Sequence, residues 1–261
     1  MPELVGVEHY RRLAETALGR PIARVRAPDP WYLKRGLDAR ALGRALRGRE
    51  LVAARRRGKL LLLDTSGDGP TLGLRFGMTG RLWVDGVAGV EELIYSSSRR
   101  DPAWDRLVLD LADGTQLRVS DPRRLGGVEL DPAEDRLGPD AATVTTAELR
   151  AALGTSTAPL KARLMDQSRL AGVGNLLADE ILWRAHLSPV RPAASLTGPE
   201  TIRLARVIRS TVSLLSVRGG SHTGDLMAER RPGGVCPRDG SGLVRVRAGG
   251  RTTWWCGSCQ L

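Results

Sequence analysis

The spacing of apolar residues changes near residue 131, and this change restricts the folds that the chain can adopt. Between residues 22 and 130 the apolar residues form short runs separated by turn-forming residues, a pattern typical of antiparallel strands. Beyond residue 145 they recur at helical spacing. The intervening segment, residues 131–140, is rich in Pro, Gly and Asp and predicts a domain boundary. We therefore predict an α+β multidomain protein, with a sandwich or barrel of antiparallel strands at residues 1–130 and a helical domain at residues 131–220.

The individual elements follow from the same patterns. Strands are predicted at residues 22–25, 51–53, 60–63, 72–74, 82–84, 107–111 and 117–119. Helices are predicted from just beyond Pro2 to about residue 18 and at residues 38–46, 146–153, 160–167, 175–185 and 199–217. Asp113 and Gly114 predict a two-residue hairpin turn between the last two strands.

The charge balance favours a polyanionic partner. The 261 residues include 40 Lys and Arg against 29 Asp and Glu, which gives a formal net charge of +11. Nucleic acid is the partner that this balance favours, although an arginine-rich proteome would produce the same charge without that function. The apolar runs are much shorter than a membrane span, and the N-terminus lacks the apolar segment of a signal peptide. We therefore expect a cytoplasmic protein.

The first residues, Met1-Pro2-Glu3-Leu4, can supply a nucleophile. If Met1 is removed, Pro2 presents a free secondary amine, and an α-amino group has a pKa near 8, so part of it is neutral at pH 7. Such an amine attacks carbonyl-like carbons and forms imines, and Glu3 beside it can serve as a general acid or base. The predicted first helix begins just beyond Pro2 and would hold the terminus in place. The alternative is an ordinary start site with a frayed end.

The cysteines indicate a metal site. All three follow Val235, and this clustering fits a metal in a reducing compartment better than a disulfide framework. Cys236 and Asp239 form a C-x2-D pair, and Cys256 and Cys259 form a C-x2-C pair. Two such knuckles are typical of a zinc ribbon, predicted here at residues 230–261 as a structural zinc site. In the alternative interpretation, Asp239 replaces a lost ligand in a hairpin without metal.

Two further features indicate phosphate binding. The segment between the ligand pairs carries Arg245, Arg247 and Arg251 and no acidic residue. The glycine-containing run at residues 171–175 joins two predicted helices and places Asn175 at a predicted N-cap, where backbone amides can bind an anion. The same run would also serve as a simple turn between helices.

Other cations have two possible roles. Residues 55–59, Arg-Arg-Arg-Gly-Lys, precede a hydrophobic strand, and such a run usually forms a solvated strand edge. Lys59 lies where the chain enters the core and is the member that we expect to project into a cleft. Lys161 begins a predicted helix and is expected to be a solvated surface charge, with DNA contact as the alternative.

Taken together, these residues resemble the Fpg/Nei family (formamidopyrimidine-DNA glycosylase and endonuclease VIII) of bifunctional DNA glycosylases. The resemblance covers nearly the whole chain and depends on the order and spacing of several short motifs. These motifs are Met1-Pro2-Glu3-Leu4, Gly58-Lys59, Gly77-Met78-Thr79-Gly80, Asp121-Pro122-Arg123-Arg124, Leu137-Gly138-Pro139, Leu164-Met165-Asp166-Gln167, Gly172-Val173-Gly174-Asn175 and Gly250-Arg251-Thr252-Thr253 before Cys256.

The resemblance implies a fold and a set of roles. The fold would be an N-terminal antiparallel β-sandwich, a helix-two-turn-helix domain and a C-terminal zinc-ribbon hairpin that together clamp damaged double-stranded DNA as a monomer. Pro2 would attack C1′ of a flipped nucleotide, Glu3 would transfer protons, and Lys59 would assist at the phosphate or leaving group. The implied DNA contacts are Met78, Arg123 and Leu125 in the gap left by the flipped base, Asn175 and Arg251 at phosphates, and Lys161 near the lesion.

The chain also departs from the family pattern. Val5-Gly6 stands where the family usually has Pro-Glu, Arg75 where it often has His, and Leu125 where it often has Phe. Residues 220–236 are much shorter than the matching segment of Fpg-type members of the family, which includes the loop that caps 8-oxoguanine. We therefore expect weak excision of 8-oxoguanine and a preference for oxidised pyrimidines, ring-opened or bulky bases, or abasic sites. The alternatives are a non-catalytic protein that binds damaged DNA and a zinc-ribbon RNA-binding protein.

Overall fold

The computed structural model describes residues 2–89 and 99–261. The described residues form two compact units. The first consists of Pro2 and residues 6–134, and the second of residues 3–5 and 135–261. Every helix in the described part of the chain falls short of a membrane span in length or in apolar content.

The first unit is a β-sandwich, as predicted. One sheet has the strand order β1-β7-β8-β5-β6 and the other the order β2-β3-β4-β9, and all neighbouring strands are antiparallel. The strands are β1 Ile22–Arg26, β2 Leu51–Arg57, β3 Leu60–Thr65, β4 Leu72–Arg75, β5 Arg81–Val84, β6 Val87–Ala88, β7 Asp105–Leu111, β8 Gln116–Ser120 and β9 Gly127–Leu130. Apolar side chains of both sheets form one core, so the sandwich buries its inner faces rather than closing as a barrel.

Two helices complete the core of this unit. They are α1, Leu4–Glu15, and α2, Ala39–Leu46, which begins after the N-cap Asp38. Tyr10 of α1 is fully buried, and its hydroxyl donates to the carbonyl of Gly80 at 3.0 Å. The first helix is therefore fixed on the sandwich rather than frayed.

The sequence missed two strands and misjudged one turn. Strands β6 and β9 have only two and four residues, too few to show the alternating pattern that marks a strand. The predicted two-residue turn at Asp113 and Gly114 is wrong, because the amide of Leu111 donates to the carbonyl of Thr115 at 2.9 Å and encloses a three-residue loop. Such a loop requires a residue in the left-handed conformation, and Gly114, with φ +87°, supplies it.

The second unit is helical and ends in a hairpin. Its helices are α3 Thr146–Leu153, α4 Leu160–Met165, α5 Asn175–Arg184 and α6 Gly198–Arg218, and its hairpin pairs β10 Val244–Ala248 with β11 Arg251–Trp255. Leu4 and Val5 pack into the helical core, so residues 3–5 belong to this unit. The predicted helix at residues 160–167 ends earlier because the amide of Asp166 turns back to the carbonyl of Arg163.

Candidate functional site

Glu3 is held by the N-terminus of α5. Its carboxylate is buried, with Oε1 accepting from the amide of Leu176 at 3.0 Å and Oε2 from the amide of Leu177 at 2.9 Å. These amides have no partner within the helix, and the helix dipole favours a negative charge at this position. The amide of Leu4 also donates to the carbonyl of Gly172 at 3.1 Å. The predicted catalytic segment is therefore anchored at residues 3 and 4.

The approach of Glu3 to α5 depends on a glycine. A Cβ atom at Gly174 would lie 2.2 Å from Oε1 of Glu3, so any larger residue would displace the carboxylate. Gly174 is also the N-cap of α5, and Asn175 is the first helical residue. The predicted N-cap at Asn175 is wrong because Glu3, which is distant in sequence, takes the amides that an N-cap side chain would bind. The Oδ1 atom of Asn175 is buried and has no hydrogen-bond partner among the described residues.

Pro2 precedes this carboxylate in the chain and is buried. A Cβ atom at Gly6 would lie 3.4 Å from the Cβ of Pro2, so Gly6 leaves only ordinary contact distance beside the proline ring. The predicted removal of Met1 concerns a residue outside the described part of the chain.

Lys59 lies in the turn between β2 and β3 and is half-buried. Two of the three arginines before it form ion pairs. Arg55 donates to both oxygens of Asp64, at 2.6 and 2.9 Å, and Arg56 pairs with Glu8 at 3.1 Å. These two arginines thus have acidic partners in the first unit.

The structure brings Met78, Arg123 and Leu125 together on two adjacent loops. Arg123 and Leu125 are exposed, and Nη1 of Arg123 lies 3.9 Å from the sulfur of Met78. The fully buried Asp121 connects the loops. Its carboxylate accepts from the Thr79 hydroxyl on one loop and from the amides of Arg123, at 3.2 Å, and Gly126, at 2.9 Å, on the other. The three predicted DNA contacts therefore share one rigid support.

The expectation that Lys161 is a solvated surface charge is wrong. Its side chain is completely buried, and its ammonium group lies 2.7 Å from Oδ1 of Asp179. It also donates to the carbonyl of Thr252 at 3.2 Å and to the hydroxyl of Thr253 at 2.9 Å. Burial lowers the pKa of Lys161, and Asp179 opposes that shift. A lysine in this position has no surface at which to contact DNA directly.

The predicted metal ligands converge. One ligand atom from each of Cys236, Asp239, Cys256 and Cys259 lies within 4.8 Å of all the others. The sulfur atoms of Cys236 and Cys259 are 3.7 Å apart, and the sulfur of Cys256 is 3.4 Å from Oδ2 of Asp239. Three thiols and a carboxylate are the kinds of donor that a tetrahedral structural metal site uses, and they lie close enough together to share one ion. The cluster can therefore hold a metal ion.

Neighbouring side chains orient the sulfur atoms. The indole Nε1 of Trp183 donates to the sulfur of Cys236 at 3.4 Å, and Nη1 of Arg238 donates to the sulfur of Cys259 at 3.2 Å. The Arg238 guanidinium also stacks on the Trp183 ring at 4.4 Å. Such donors toward thiolates are common around metal-bound cysteines.

The hairpin presents its basic side chains outward. Arg245, Arg247 and Arg251 are exposed. The turn between its strands lies against α4, because a Cβ at Gly249 would lie 2.6 Å from the Cβ of Ala162. The hairpin is therefore supported by the helical unit that also holds Glu3.

Sequence reasoning missed two buried aspartates: Asp121, which connects the loops of Met78 and Arg123, and Asp179, which pairs with Lys161. Asp121 belongs to the Asp121-Pro122-Arg123-Arg124 motif, where a lone acid precedes two cations. Asp179 interrupts an otherwise apolar face of α5. A carboxylate in a position that the pattern assigns to the core is a signal for a buried cationic partner.

Comparisons with known proteins agree with this architecture. The family model described as the formamidopyrimidine-DNA glycosylase N-terminal domain matches residues 1–128, and that of the H2TH domain matches residues 137–225. Formamidopyrimidine-DNA glycosylases of Carboxydothermus hydrogenoformans and Cereibacter sphaeroides are 35% and 36% identical to the chain, each with 100% of both sequences covered.

Solved structures agree as well. Crystal structures of the Lactococcus lactis Fpg with DNA containing Fapy-dG, and with DNA containing an oxidised pyrimidine, each match with a TM-score of 0.82. Both matches have 26% identity and cover 99% of each chain. A β-sandwich followed by a helix-two-turn-helix domain, matched over its full length, defines a DNA glycosylase of base excision repair. The chain belongs to the formamidopyrimidine-DNA glycosylase family.

Proposed function

We propose that this DNA glycosylase is bifunctional and uses Pro2 as its nucleophile. The proposal depends on the two hydrogen bonds that the amides of Leu176 and Leu177 donate to Glu3. These bonds fix Glu3, the residue next to Pro2, at the N-terminus of a helix. A catalytic group must be held in place by a rigid support, and a frayed terminus lacks one. The proposal requires removal of Met1, since only then is the Pro2 nitrogen a free amine.

The proposed reaction has two stages. The Pro2 nitrogen forms a bond to C1′ of the damaged nucleotide as the glycosidic bond breaks, and the base leaves with a proton. Opening of the sugar ring then gives an iminium, which makes the adjacent C–H bond acidic. Loss of that proton expels the phosphate at the next carbon and nicks the strand. Glu3 supplies and removes protons, and Lys59 assists at the phosphate or the leaving group.

Three regions share the contact with damaged DNA. Residues 1–130 form the catalytic domain, where Met78, Arg123 and Leu125 fill the gap left by the flipped nucleotide. Residues 131–220 form the helix-two-turn-helix domain, and Asn175 at its helix N-terminus binds a phosphate. Residues 230–261 form the hairpin, and Arg251 binds another phosphate. We do not assign Lys161 a direct contact, because its ammonium group is buried.

The metal is proposed to be zinc. Cys236, Cys256 and Cys259 would bind it through sulfur and Asp239 through a carboxylate oxygen, a donor set that suits tetrahedral Zn²⁺. When bound, zinc would fix the fold of a hairpin too small to bury a core of its own. It would have no part in the chemical steps.

The central test is trapping with borohydride on abasic duplex DNA. Reduction converts the imine into a stable covalent adduct, so the wild-type protein should be trapped and a Pro2→Gly variant should not. Mass spectrometry of the active protein should show that Met1 is absent. An untrapped wild-type protein that still binds abasic duplex would support the alternative, a non-catalytic damaged-DNA-binding protein. Stronger binding to RNA than to abasic duplex would support the RNA-binding alternative.

The substrate preference is a separate proposal. Val5-Gly6 and the short segment before Cys236 support weak excision of 8-oxoguanine, and oxidised pyrimidines, ring-opened or bulky bases, or abasic sites should react faster. A panel of duplexes with one lesion each, assayed under single-turnover conditions, tests this order. Equal rates on 8-oxoguanine and on those lesions would reject it. We also propose that the protein acts as a monomer and that it is cytoplasmic and associated with the nucleoid, where its DNA substrate lies.

A further inference from the structure

Trp31 is an exposed aromatic residue with a fixed position. Its side chain is 68% exposed, whereas the next residue, Tyr32, is fully buried. Both belong to the 3-10 turn Pro30–Tyr32, and the carboxylate of Asp29 caps this turn by accepting from the Trp31 amide at 3.1 Å. The indole is thus held in solvent by an ordered backbone. Single exposed apolar side chains are common on protein surfaces, so the case for a binding residue depends on the charged groups around the indole.

The same aspartate connects Trp31 to the loop that carries Arg123 and Leu125. The guanidinium of Arg124 donates to both oxygens of Asp29, at 2.6 and 2.7 Å, and Arg106 lies 3.5 Å from one of them. Arg124 has φ +57°, an unfavourable conformation for a side chain of its size, which the paired hydrogen bonds stabilise. The Trp31 turn and the Arg123 loop are therefore parts of one connected surface.

Cations dominate this surface. The ammonium group of Lys34 lies 5.3 Å from the centre of the Trp31 ring and donates to the Trp31 carbonyl at 2.8 Å. Arg35 and Arg75 both pair with the buried Glu129, at 3.0 and 2.9 Å. The contacts named here involve five cations and two carboxylates. The carboxylates are Asp29 and Glu129, and the cations are Lys34, Arg35, Arg75, Arg106 and Arg124. The excess positive charge suits a polyanion.

We propose that Trp31 and Lys34 form an additional DNA contact, continuous with the loop of Arg123 and Leu125. The indole face stacks on an unpaired base or a deoxyribose, and Lys34 binds an adjacent phosphate. This inference rests on the proposed function, because it takes DNA as the occupant. An indole surrounded by cations suits the combination of flat, apolar rings and phosphates that nucleic acid presents.

The test compares Trp31→Ala with Val52→Ala, a matched control that removes another exposed apolar side chain of the same domain, 52% exposed on β2. Binding is measured by fluorescence anisotropy on a duplex with a stable abasic analogue. Trp31→Ala should weaken binding about tenfold, the loss of one stacking contact, and Trp31→Phe should restore most of it. Val52→Ala should bind like the wild-type protein.

Salt dependence gives a second readout. Lys34→Ala should lower the slope of log affinity against log salt by about one, because one phosphate contact is lost, while Trp31→Ala should leave the slope unchanged. Equal binding by Trp31→Ala, Val52→Ala and wild-type protein overturns the inference. Failure of the wild-type protein to bind abasic duplex at all would instead reject the proposed function.

Discussion

Lys161 and Asp179 form an ion pair that is completely shielded from solvent, with 2.7 Å between the ammonium nitrogen and Oδ1. The other carboxylate oxygen of Asp179 accepts from Arg230 at 2.7 Å. Because Lys161 also donates to Thr252 and Thr253, the pair connects α4, α5 and β11. The helix that holds Glu3 and the strand that begins with Arg251 thus share one buried support.

The two partners of this pair should differ in their effect on stability. Asp179→Leu leaves Lys161 and Arg230 without their shared carboxylate, which should lower the free energy of unfolding by about 3–5 kcal/mol. Lys161→Met removes this ion pair and the hydrogen bonds to Thr252 and Thr253, but Arg230 still compensates the Asp179 charge, so the cost should be smaller, about 1–2 kcal/mol. Urea denaturation of each variant measures the difference.

The double variant, Lys161→Met with Asp179→Leu, is the control for this pair. It removes the buried lysine charge together with the carboxylate and should recover part of the stability that Asp179→Leu loses. Equal costs for the two single variants would contradict the assignment of Arg230 as the remaining partner of Asp179.

Glu3→Gln should separate catalysis from binding. Glutamine keeps one oxygen for the amides of α5 but cannot exchange a proton, so single-turnover excision should fall by about 10²–10⁴-fold. Binding to abasic duplex should change by no more than a few-fold. Glu8→Gln, on α1 and paired with Arg11 and Arg56, should excise bases at the wild-type rate. Wild-type excision by Glu3→Gln would remove Glu3 from the mechanism.

Asp239 should decide how tightly the hairpin binds zinc. Asp239→Cys supplies a fourth thiolate and should slow zinc loss to a chelator, whereas Asp239→Ala leaves three ligands and should speed it. Zinc content after timed dialysis against the chelator measures both. Removing the metal should also weaken DNA binding, since the exposed arginines of the hairpin lose their support. Identical zinc retention by the wild-type protein and Asp239→Ala would mean that Asp239 is not a ligand.

Glu200 should make stability depend on acidity. Hydrogen bonds from Arg191 lower the pKa of Glu200 from 4.5 to about 2. A carboxyl group whose pKa is lower in the folded state stabilises the fold above its unfolded pKa, and that contribution is lost as the pH falls from about 4.5 towards 2. The difference in unfolding free energy between wild-type protein and Glu200→Gln should therefore shrink across this range. A difference that stays constant with pH would contradict this account.

Gly6 should tolerate a carboxylate. A Cβ there would lie 3.4 Å from Pro2, which is ordinary contact, and replacing glycine within α1 removes a helix-destabilising residue. Gly6→Glu restores the residue usual in the family and should raise the rate of base excision without lowering the melting temperature. Gly6→Ala separates the helix effect from the carboxylate effect. A slower Gly6→Glu enzyme of wild-type stability would show that the site has adapted to glycine.

Local sequence patterns predicted most of the fold, because each helix or strand is determined largely by residues that are close in sequence. Period-two and helical spacing located the long strands and the helices, since each element must bury one apolar face. The type of the turn at Gly114 and the short strands β6 and β9 were not predicted, because their formation depends on pairing with neighbouring strands. The cluster that can hold a metal was predictable because each pair of its residues lies close in sequence.

The sequence by itself determined the two types of secondary structure, the positive charge, the ligand pairs and the motifs that carry the family resemblance. Only the tertiary structure decided that Glu3 caps α5, that Asp121 joins two loops and that Lys161 is buried against Asp179. Each of these contacts joins residues more than fifteen positions apart. A charged side chain can lie in solvent or pair in the interior, and the free energy that separates these outcomes depends on partners that only folding brings within reach.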